Sequence, residues 1–196
     1  MENTNEFWED LIFELSAIKN PLITNSEDEL LLGASNREGR VLFIGDDPEL
    51  YENEDLKVAP GSSGEFLIKL CDIEEIGPND YYITTLTKRN CKYRDFLSNE
   101  QAKLKELLDM QIALITPQIV VALGSEVASL LCEKDIDFNK MRSNFTNWIG
   151  GTKLFVTYDV NFVKKSRNDS GKKSKVAIDF LKDIRLIKKE LDKENE

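Results

Sequence analysis

Four short runs of apolar residues, evenly spaced along the chain, constrain its fold more than any other feature of the sequence. They begin near residues 41, 81, 119 and 154, and helical patterns of apolar residues separate them. Strands that alternate with amphipathic helices are typical of parallel sheets with helices on both faces. The sequence therefore predicts a three-layer α/β/α fold with a four-stranded parallel sheet.

The first of these runs ends at two adjacent carboxylates. Residues 41–44 have the pattern of a strand buried on both faces, and Gly45, Asp46, Asp47 and Pro48 stop it abruptly. In open α/β sheets, ligands bind at the carboxyl ends of the strands. Asp46 and Asp47 are therefore candidate catalytic residues, although an Asp-rich turn after a core strand would give the same pattern.

Basic residues follow the second and fourth predicted strands. Because parallel strands end at the same edge of a sheet, we expect these residues beside Asp46 and Asp47. Two carboxylates between two basic loops suit work on a nucleic acid, since the loops can hold phosphates while the acids face the chemistry. Solubilising loops on an ordinary core are the alternative. The candidate phosphate-binding residues are Lys88, Arg89, Lys92, Arg94, Lys164, Lys165 and Arg167.

A turn rich in glycine and serine is predicted to open a helix near residue 63. The backbone N–H groups of Gly61, Ser62 and Ser63 are candidates for holding an anion at the start of this helix. Ser62 and Glu65 also fit a capping box, so an ordinary capped helix is the alternative interpretation.

The charge of the chain is concentrated at its N-terminus. The net charge is −10, and residues 1–59 alone hold 15 acidic and 4 basic residues. Nucleic acid would therefore bind at the basic clusters, and the acidic N-terminal region is a candidate surface for a protein partner. Helical patterns over 6–18 and 27–32 predict a helical extension, residues 1–40, packed on an α/β domain of residues 41–196.

Several kinds of chemistry are excluded by composition. The chain has no histidine, which excludes histidine metal sites, histidine-containing triads and histidine general acids. Its three cysteines, Cys71, Cys91 and Cys132, form neither a disulfide framework nor a metal-binding pair. No apolar run approaches membrane-spanning length and no signal peptide is recognisable, so we expect a soluble cytoplasmic protein, and a monomer.

Four motifs, in order and at matching intervals over residues 41 to about 188, resemble those of the uracil-DNA glycosylase superfamily, most closely the family 4 type. The resemblance implies that superfamily's fold and its activity on DNA. The matching segments are Gly45-Asp46-Asp47-Pro48-Glu49 with Gly61-Ser62-Ser63-Gly64, Tyr82-Ile83-Thr84-Thr85, Ile115-Thr116-Pro117-Gln118-Ile119-Val120-Val121-Ala122-Leu123-Gly124, and Thr157-Tyr158-Asp159-Val160.

The resemblance implies a role for each matching position and shows where this chain departs from the family. Asp46 matches the family's acidic position, and Asp47 resembles the water-activating aspartate of the Gly-Gln-Asp-Pro enzymes in the same superfamily. Thr85 replaces the base-selecting asparagine. Ala59 replaces the phenylalanine that stacks on the base, and Asp159 replaces the histidine that stabilises the departing base.

The four cysteines that hold the family's iron–sulfur cluster are also missing. None lies before residue 41, and Arg89 occupies the third position. We therefore expect no iron–sulfur cluster, no other cofactor and no metal.

Two hypotheses follow. The first is a divergent DNA glycosylase of DNA repair, in which Asp46 or Asp47 orients water, while Thr85 and Asn161 contact a deaminated base. The second is an inactive protein of the same fold that binds nucleic acid, a nucleotide or a protein partner. The retained Gly-Asp-Asp-Pro turn favours the first, whereas the missing histidine and stacking ring favour the second.

Overall fold

The computed structural model describes residues 2–22 and 29–193. Its α-helices are α1 (Glu2–Ala17), α2 (Ser63–Ile73), α3 (Ser98–Ile115), α4 (Ser125–Cys132), α5 (Phe138–Met141), α6 (Val160–Ser170) and α7 (Lys175–Lys193). Its strands are β1 (Ala34–Ser35), β2 (Val41–Gly45), β3 (Tyr81–Thr85), β4 (Ile119–Leu123), β5 (Phe145–Asn147) and β6 (Lys153–Thr157). In these described ranges, no helix is both long and apolar enough to cross a membrane.

The strands form one sheet in the order β1-β3-β2-β4-β6-β5. The four predicted strands, now β3, β2, β4 and β6, lie together at its centre and run parallel, as predicted. The strand count is corrected to six for the described part of the chain, because the short strands β1 and β5 pair antiparallel at the two edges. Gly45 pairs with Thr85, and Leu123 pairs with Thr157, so the parallel strands end level with one another.

The sheet is buried on both faces. Leu42 and Ile44 point into a core formed with α1, α3 and α4, whereas Val41 and Phe43 point into a second core formed with α2, α6 and α7. All four side chains are fully buried, which explains why this strand appears in the sequence as a continuous apolar run. The three-layer α/β/α architecture is therefore confirmed.

The predicted N-terminal helix is α1, and its buried face packs against α3. The second predicted helix lies partly outside the described residues, and residues 29–32 are not helical. Residues 34–35, on the N-terminal side of the boundary predicted at residue 40, pair with β3 as strand β1.

A buried polar network fixes the end of β6. The Asp183 carboxylate of α7 accepts hydrogen bonds from Thr157 Oγ1, at 2.6 Å, and from Ser143 Oγ. Arg142 Nη1 donates to the same carboxylate at 3.0 Å. Because Thr157 is the last residue of β6, this network holds in place the segment that follows it, Tyr158 and Asp159.

We predict that Asp183→Ala lowers the free energy of unfolding by about 3–5 kcal/mol, because Arg142, Ser143 and Thr157 would lose the acceptor that they share and Arg142 would keep only the longer contact with Asp179, at 4.0 Å. Asp192→Ala, on the same helix, is the matched control. The Asp192 side chain is 54% exposed and pairs with Lys188, so its loss should cost less than about 1 kcal/mol. Urea unfolding measures both, and equal small losses would contradict the structural role of Asp183.

Candidate active site

The aligned ends of the parallel strands bring the predicted carboxylates to one edge of the sheet. Asp46 and Asp47 follow β2, and Asp159 follows β6. Between them lies Gly124 at the end of β4, where an added Cβ would sit 3.4 Å from the Cβ of Asp159. Lys92, in the loop after β3, is close enough to lower the pKa of both Asp46 and Asp159. Asp46 and Asp159, which follow two different strands, thus share one positive neighbour.

Asp47 is buried, and one of its carboxylate oxygens is unpartnered. The residue is 5% exposed. Its Oδ1 accepts a hydrogen bond from Glu49 N at 3.0 Å and caps the short 3-10 helix Pro48–Leu50. Its Oδ2 is buried without a hydrogen-bond partner among the described residues. Such an oxygen costs about 1–3 kcal/mol or more if it stays unsatisfied, so this is a position that favours an ordered water.

Asp46 faces a different part of the edge. Its Oδ1 accepts a hydrogen bond from Tyr93 N at 2.9 Å, and the residue lines a separate cavity of about 350 Å³ with residues of α3 and α4. Burial raises the pKa of the Asp46 carboxyl to about 6, although the Tyr93 N–H and the Lys92 charge oppose the shift. The two adjacent carboxylates therefore have different hydrogen-bond partners.

Asp159 begins α6, where its Oδ1 accepts a hydrogen bond from Phe162 N at 2.8 Å. Burial raises the pKa of its carboxyl, and the nearby negative charge of Asp47 raises it further. A raised pKa increases the protonated fraction, and a protonated carboxyl can donate a hydrogen bond.

A cavity of about 750 Å³ opens at the same edge, and two of the four predicted base-binding residues line it. Thr85 and Ala59 line it, whereas Asp159 and Asn161, at the start of α6, lie outside its lining. The Thr85 hydroxyl is occupied, because it accepts from Lys88 N at 3.1 Å and lies 3.4 Å from Tyr51 Oη. Ala59 presents only a methyl group to this cavity, at the position where the resemblance to the family implies a base-stacking phenylalanine.

The start of α2 is a capped helix rather than an open anion site. Ser62 Oγ accepts from Glu65 N at 3.1 Å, and the Glu65 carboxylate accepts from Gly61 N at 2.8 Å. The N–H of Ser62 donates to Ala59 O. The Ser63 hydroxyl is buried without a partner in the described part of the chain. Of the two interpretations of this turn, the contacts favour the cap.

Two of the predicted phosphate-binding residues do not lie on the surface, which corrects that part of the prediction. Lys88 is 1% exposed and Arg89 is 5% exposed. Arg89 Nη2 donates to Leu15 O at 3.0 Å and so ties the loop after β3 to α1. A backbone carbonyl at the end of a helix is a favourable partner for a cation, which explains why this arginine points inward.

The other basic residues remain available at the edge. Lys92, Arg94 and Lys165 are exposed, and Arg167 is partly exposed. Lys164 reaches across the cavity to Gly61 O at 2.9 Å. It also lies 3.5 Å from a Glu49 carboxylate oxygen, so it is only partly free for phosphate.

An aromatic group beside Asp159 was not predicted from the sequence. The Phe162 ring is 51% exposed. Its centroid lies 5.9 Å from that of Tyr158, and the Arg142 guanidinium carbon lies 4.6 Å from the centre of the Tyr158 ring. The sequence feature that could have revealed this group is a large apolar residue, Phe162, on the outer face of a polar helix. Its exposed ring is suited to stacking on a base.

The chain's cysteines do not fit an iron–sulfur cluster. Cys71 lies in the core on one face of the sheet and Cys91 in the core on the other. Residues 2–22 and 29–193 contain no group of three or more histidine, cysteine or acidic side chains arranged to hold a metal. Arg89 at the predicted third cluster position bonds to protein instead.

Residues 32–185 match the model of the uracil DNA glycosylase superfamily. This chain belongs to the uracil-DNA glycosylase superfamily. It is 29% identical over 163 residues to the type-4 uracil-DNA glycosylase of Thermotoga maritima, a match that covers 82% of this chain and 84% of the relative. It is 33% identical over 133 residues to that of Saccharolobus solfataricus, covering 63% and 61% of the two chains. It is 26% identical to that of Archaeoglobus fulgidus, covering 64% of each.

We predict that Asp46→Asn stabilises this superfamily member more at about pH 7.5 than at about pH 4. The carboxyl ionises near pH 4 in an unfolded chain and near pH 6 in the folded one. Wild-type stability therefore falls as the pH rises through this window. The side-chain carbonyl of asparagine can still accept the hydrogen bond from Tyr93 N, but it carries no negative charge that burial would destabilise.

Urea unfolding of the wild type and of Asp46→Asn at the two pH values measures the difference in their free energies of unfolding. Asp192→Asn, at an exposed position, should show no such change with pH. If the free energies of unfolding of wild type and Asp46→Asn differ by the same amount at both pH values, the raised pKa of the Asp46 carboxyl is contradicted.

Proposed function

We propose that this chain binds DNA and, as a step of DNA repair, hydrolyses the N-glycosidic bond of a deaminated base. The observation that carries the proposal is the buried Asp47 carboxylate at the end of the central strand, with its unpartnered Oδ2. Membership of the uracil-DNA glycosylase superfamily supports the reaction type. The name of the Thermotoga maritima relative supports uracil as the first base to test.

Two of the three carboxylates at this edge, Asp47 and Asp159, have a part in this chemistry. As the bond between base and sugar breaks, its electron pair leaves with the base and C1′ becomes positively charged. The Asp47 carboxylate stabilises this charge and holds the water whose oxygen then bonds to C1′, and it accepts the water's proton. Protonated Asp159 donates a hydrogen bond to the departing base, a role that no histidine can fill in this chain.

DNA would bind along the exposed residues around this edge. Lys92 and Arg94 on one side, and Lys165 and Arg167 on the other, are placed to contact phosphates. Phe162 offers a stacking surface beside Asp159. The cavity lined by Thr85 and Ala59 would receive the extruded nucleotide.

A second candidate function, binding without excision, is favoured by one observation. The Thr85 hydroxyl is already bonded within the protein, and Ala59 cannot stack, so the cavity has few groups that select a base. Loss of one preorganised donor costs about 10²–10³ in rate. DNA binding with no base released from any substrate would support this second function.

We predict that wild-type protein releases a base from DNA containing uracil, hypoxanthine or xanthine, and that Asp47→Asn lowers the single-turnover rate by about 10²-fold or more. Asp46→Asn is the neighbouring control and should lower it less, because Asp46 faces the Tyr93 loop. Mass spectrometry of the free base and alkaline cleavage of the abasic strand measure the rate. Excision that survives asparagine at both positions would remove the catalytic assignment.

We predict that DNA affinity falls steeply between about 50 and 200 mM salt, because phosphate contacts release counterions. Replacing Lys92 and Arg94 with glutamate, or Lys165 and Arg167, should weaken binding to every sequence tested. Lys134→Glu, beyond the end of α4, is the matched surface control. Fluorescence anisotropy measures the affinities, and unchanged binding in both double variants would exclude this surface as the DNA interface.

A further inference from the structure

Lys88 is a buried amine held in one position by its own loop. Its backbone has a φ of +56°, which is uncommon for a residue other than glycine. Lys88 N donates to Thr85 Oγ1 at 3.1 Å, and Lys88 O accepts from Leu31 N at 2.9 Å. The side chain folds back so that Nζ donates to Thr85 O at 2.6 Å. The loop therefore directs this amine to the end of β3.

The amine has no acidic partner in the described part of the chain. Its one hydrogen-bond acceptor there is the neutral carbonyl of Thr85. Desolvation alone lowers the pKa of Lys88 to about 7, so a large fraction is neutral under physiological conditions. A neutral amine has a free lone pair and is a nucleophile, as in lysines that form imines with carbonyl substrates.

Lys88 also lines the cavity where an extruded nucleotide would enter. Ala59, Ser62 and Thr85 line the same cavity. Lys88 is therefore beside the space that the proposed reaction would fill with a base and its sugar, and its Nζ lies at Thr85 O, on another residue of the same lining. After a base has been released, the sugar that remains is an abasic deoxyribose, whose open form carries an aldehyde at C1′.

We propose that Lys88 forms a reversible imine with the C1′ aldehyde of an abasic site in DNA. This rests on the proposed function, since abasic DNA is the product of base excision. The Nζ lone pair attacks C1′, and the carbonyl π electrons move to the oxygen, which takes a proton. The oxygen then takes a second proton, the C1′–O bond breaks to release water, and the nitrogen lone pair forms the C=N bond, so that both protons of the neutral amine end on the water. No oxidant or reductant takes part, and hydrolysis restores the amine.

The test uses abasic DNA prepared with another glycosylase, so that it does not depend on excision by this chain. Sodium cyanoborohydride reduces an imine to a stable secondary amine, which joins protein to DNA. We expect a covalent complex with wild-type protein, and peptide mass spectrometry should place the adduct on Lys88. Lys88→Met, which has a similar length and no nucleophile, should lower the trapped fraction at least tenfold. Lys134→Met, on the surface, should not change it.

Binding of the same abasic DNA is measured in parallel by fluorescence anisotropy. Binding without trapping, or an adduct on another lysine, would overturn the imine and leave the DNA-binding function standing. No binding would overturn both. If Lys88→Met does not fold, as judged by circular dichroism, the site of the wild-type adduct decides the question.

Discussion

Parallel pairing of β2 between β3 and β4 is the constraint on which the rest of this structure depends. It buries residues 41–44 on both faces and brings the strand ends level, so that the next residues meet their counterparts from β3, β4 and β6. The chain can turn at Asp47 because that carboxylate caps the 3-10 helix Pro48–Leu50. Asp47 Oδ2 remains buried without a hydrogen-bond partner among residues 2–22 and 29–193, and an oxygen in that state favours a bound water.

The electrostatics of this edge follow from burial as much as from charge. Asp46 and Asp159 have raised pKa values chiefly because they are desolvated, and Lys92 partly offsets the effect. Desolvation acts on Lys88 in the opposite direction and favours its neutral form. The site thus combines a carboxyl whose pKa is about 6, that of Asp46, with an amine whose pKa is about 7, that of Lys88, in a chain without histidine.

The sequence was sufficient to predict the three-layer architecture. Strands that are buried on both faces appear as continuous apolar runs, and the spacing between these runs shows that a helical segment connects each strand to the next. β1 could not be predicted, since two residues are too few to show a pattern. Lys88 and Arg89 were misplaced because charged residues are rarely fully buried, and the partner of the Arg89 side chain arises from a tertiary contact. The carbonyl that accepts from Arg89 belongs to Leu15, 74 residues away. The different environments of Asp46 and Asp47 likewise depend on the Tyr93 loop.

The central claim is that Asp47 Oδ2 holds the water that attacks C1′. A crystal structure with DNA containing 2′-fluoro-deoxyuridine, in which the fluorine slows cleavage of the glycosidic bond, tests it most directly. The account predicts an ordered water within about 3 Å of Asp47 Oδ2, on the side of C1′ opposite the base. A sugar bound away from this edge, or an Oδ2 that accepts from a protein donor with no water facing C1′, would contradict it.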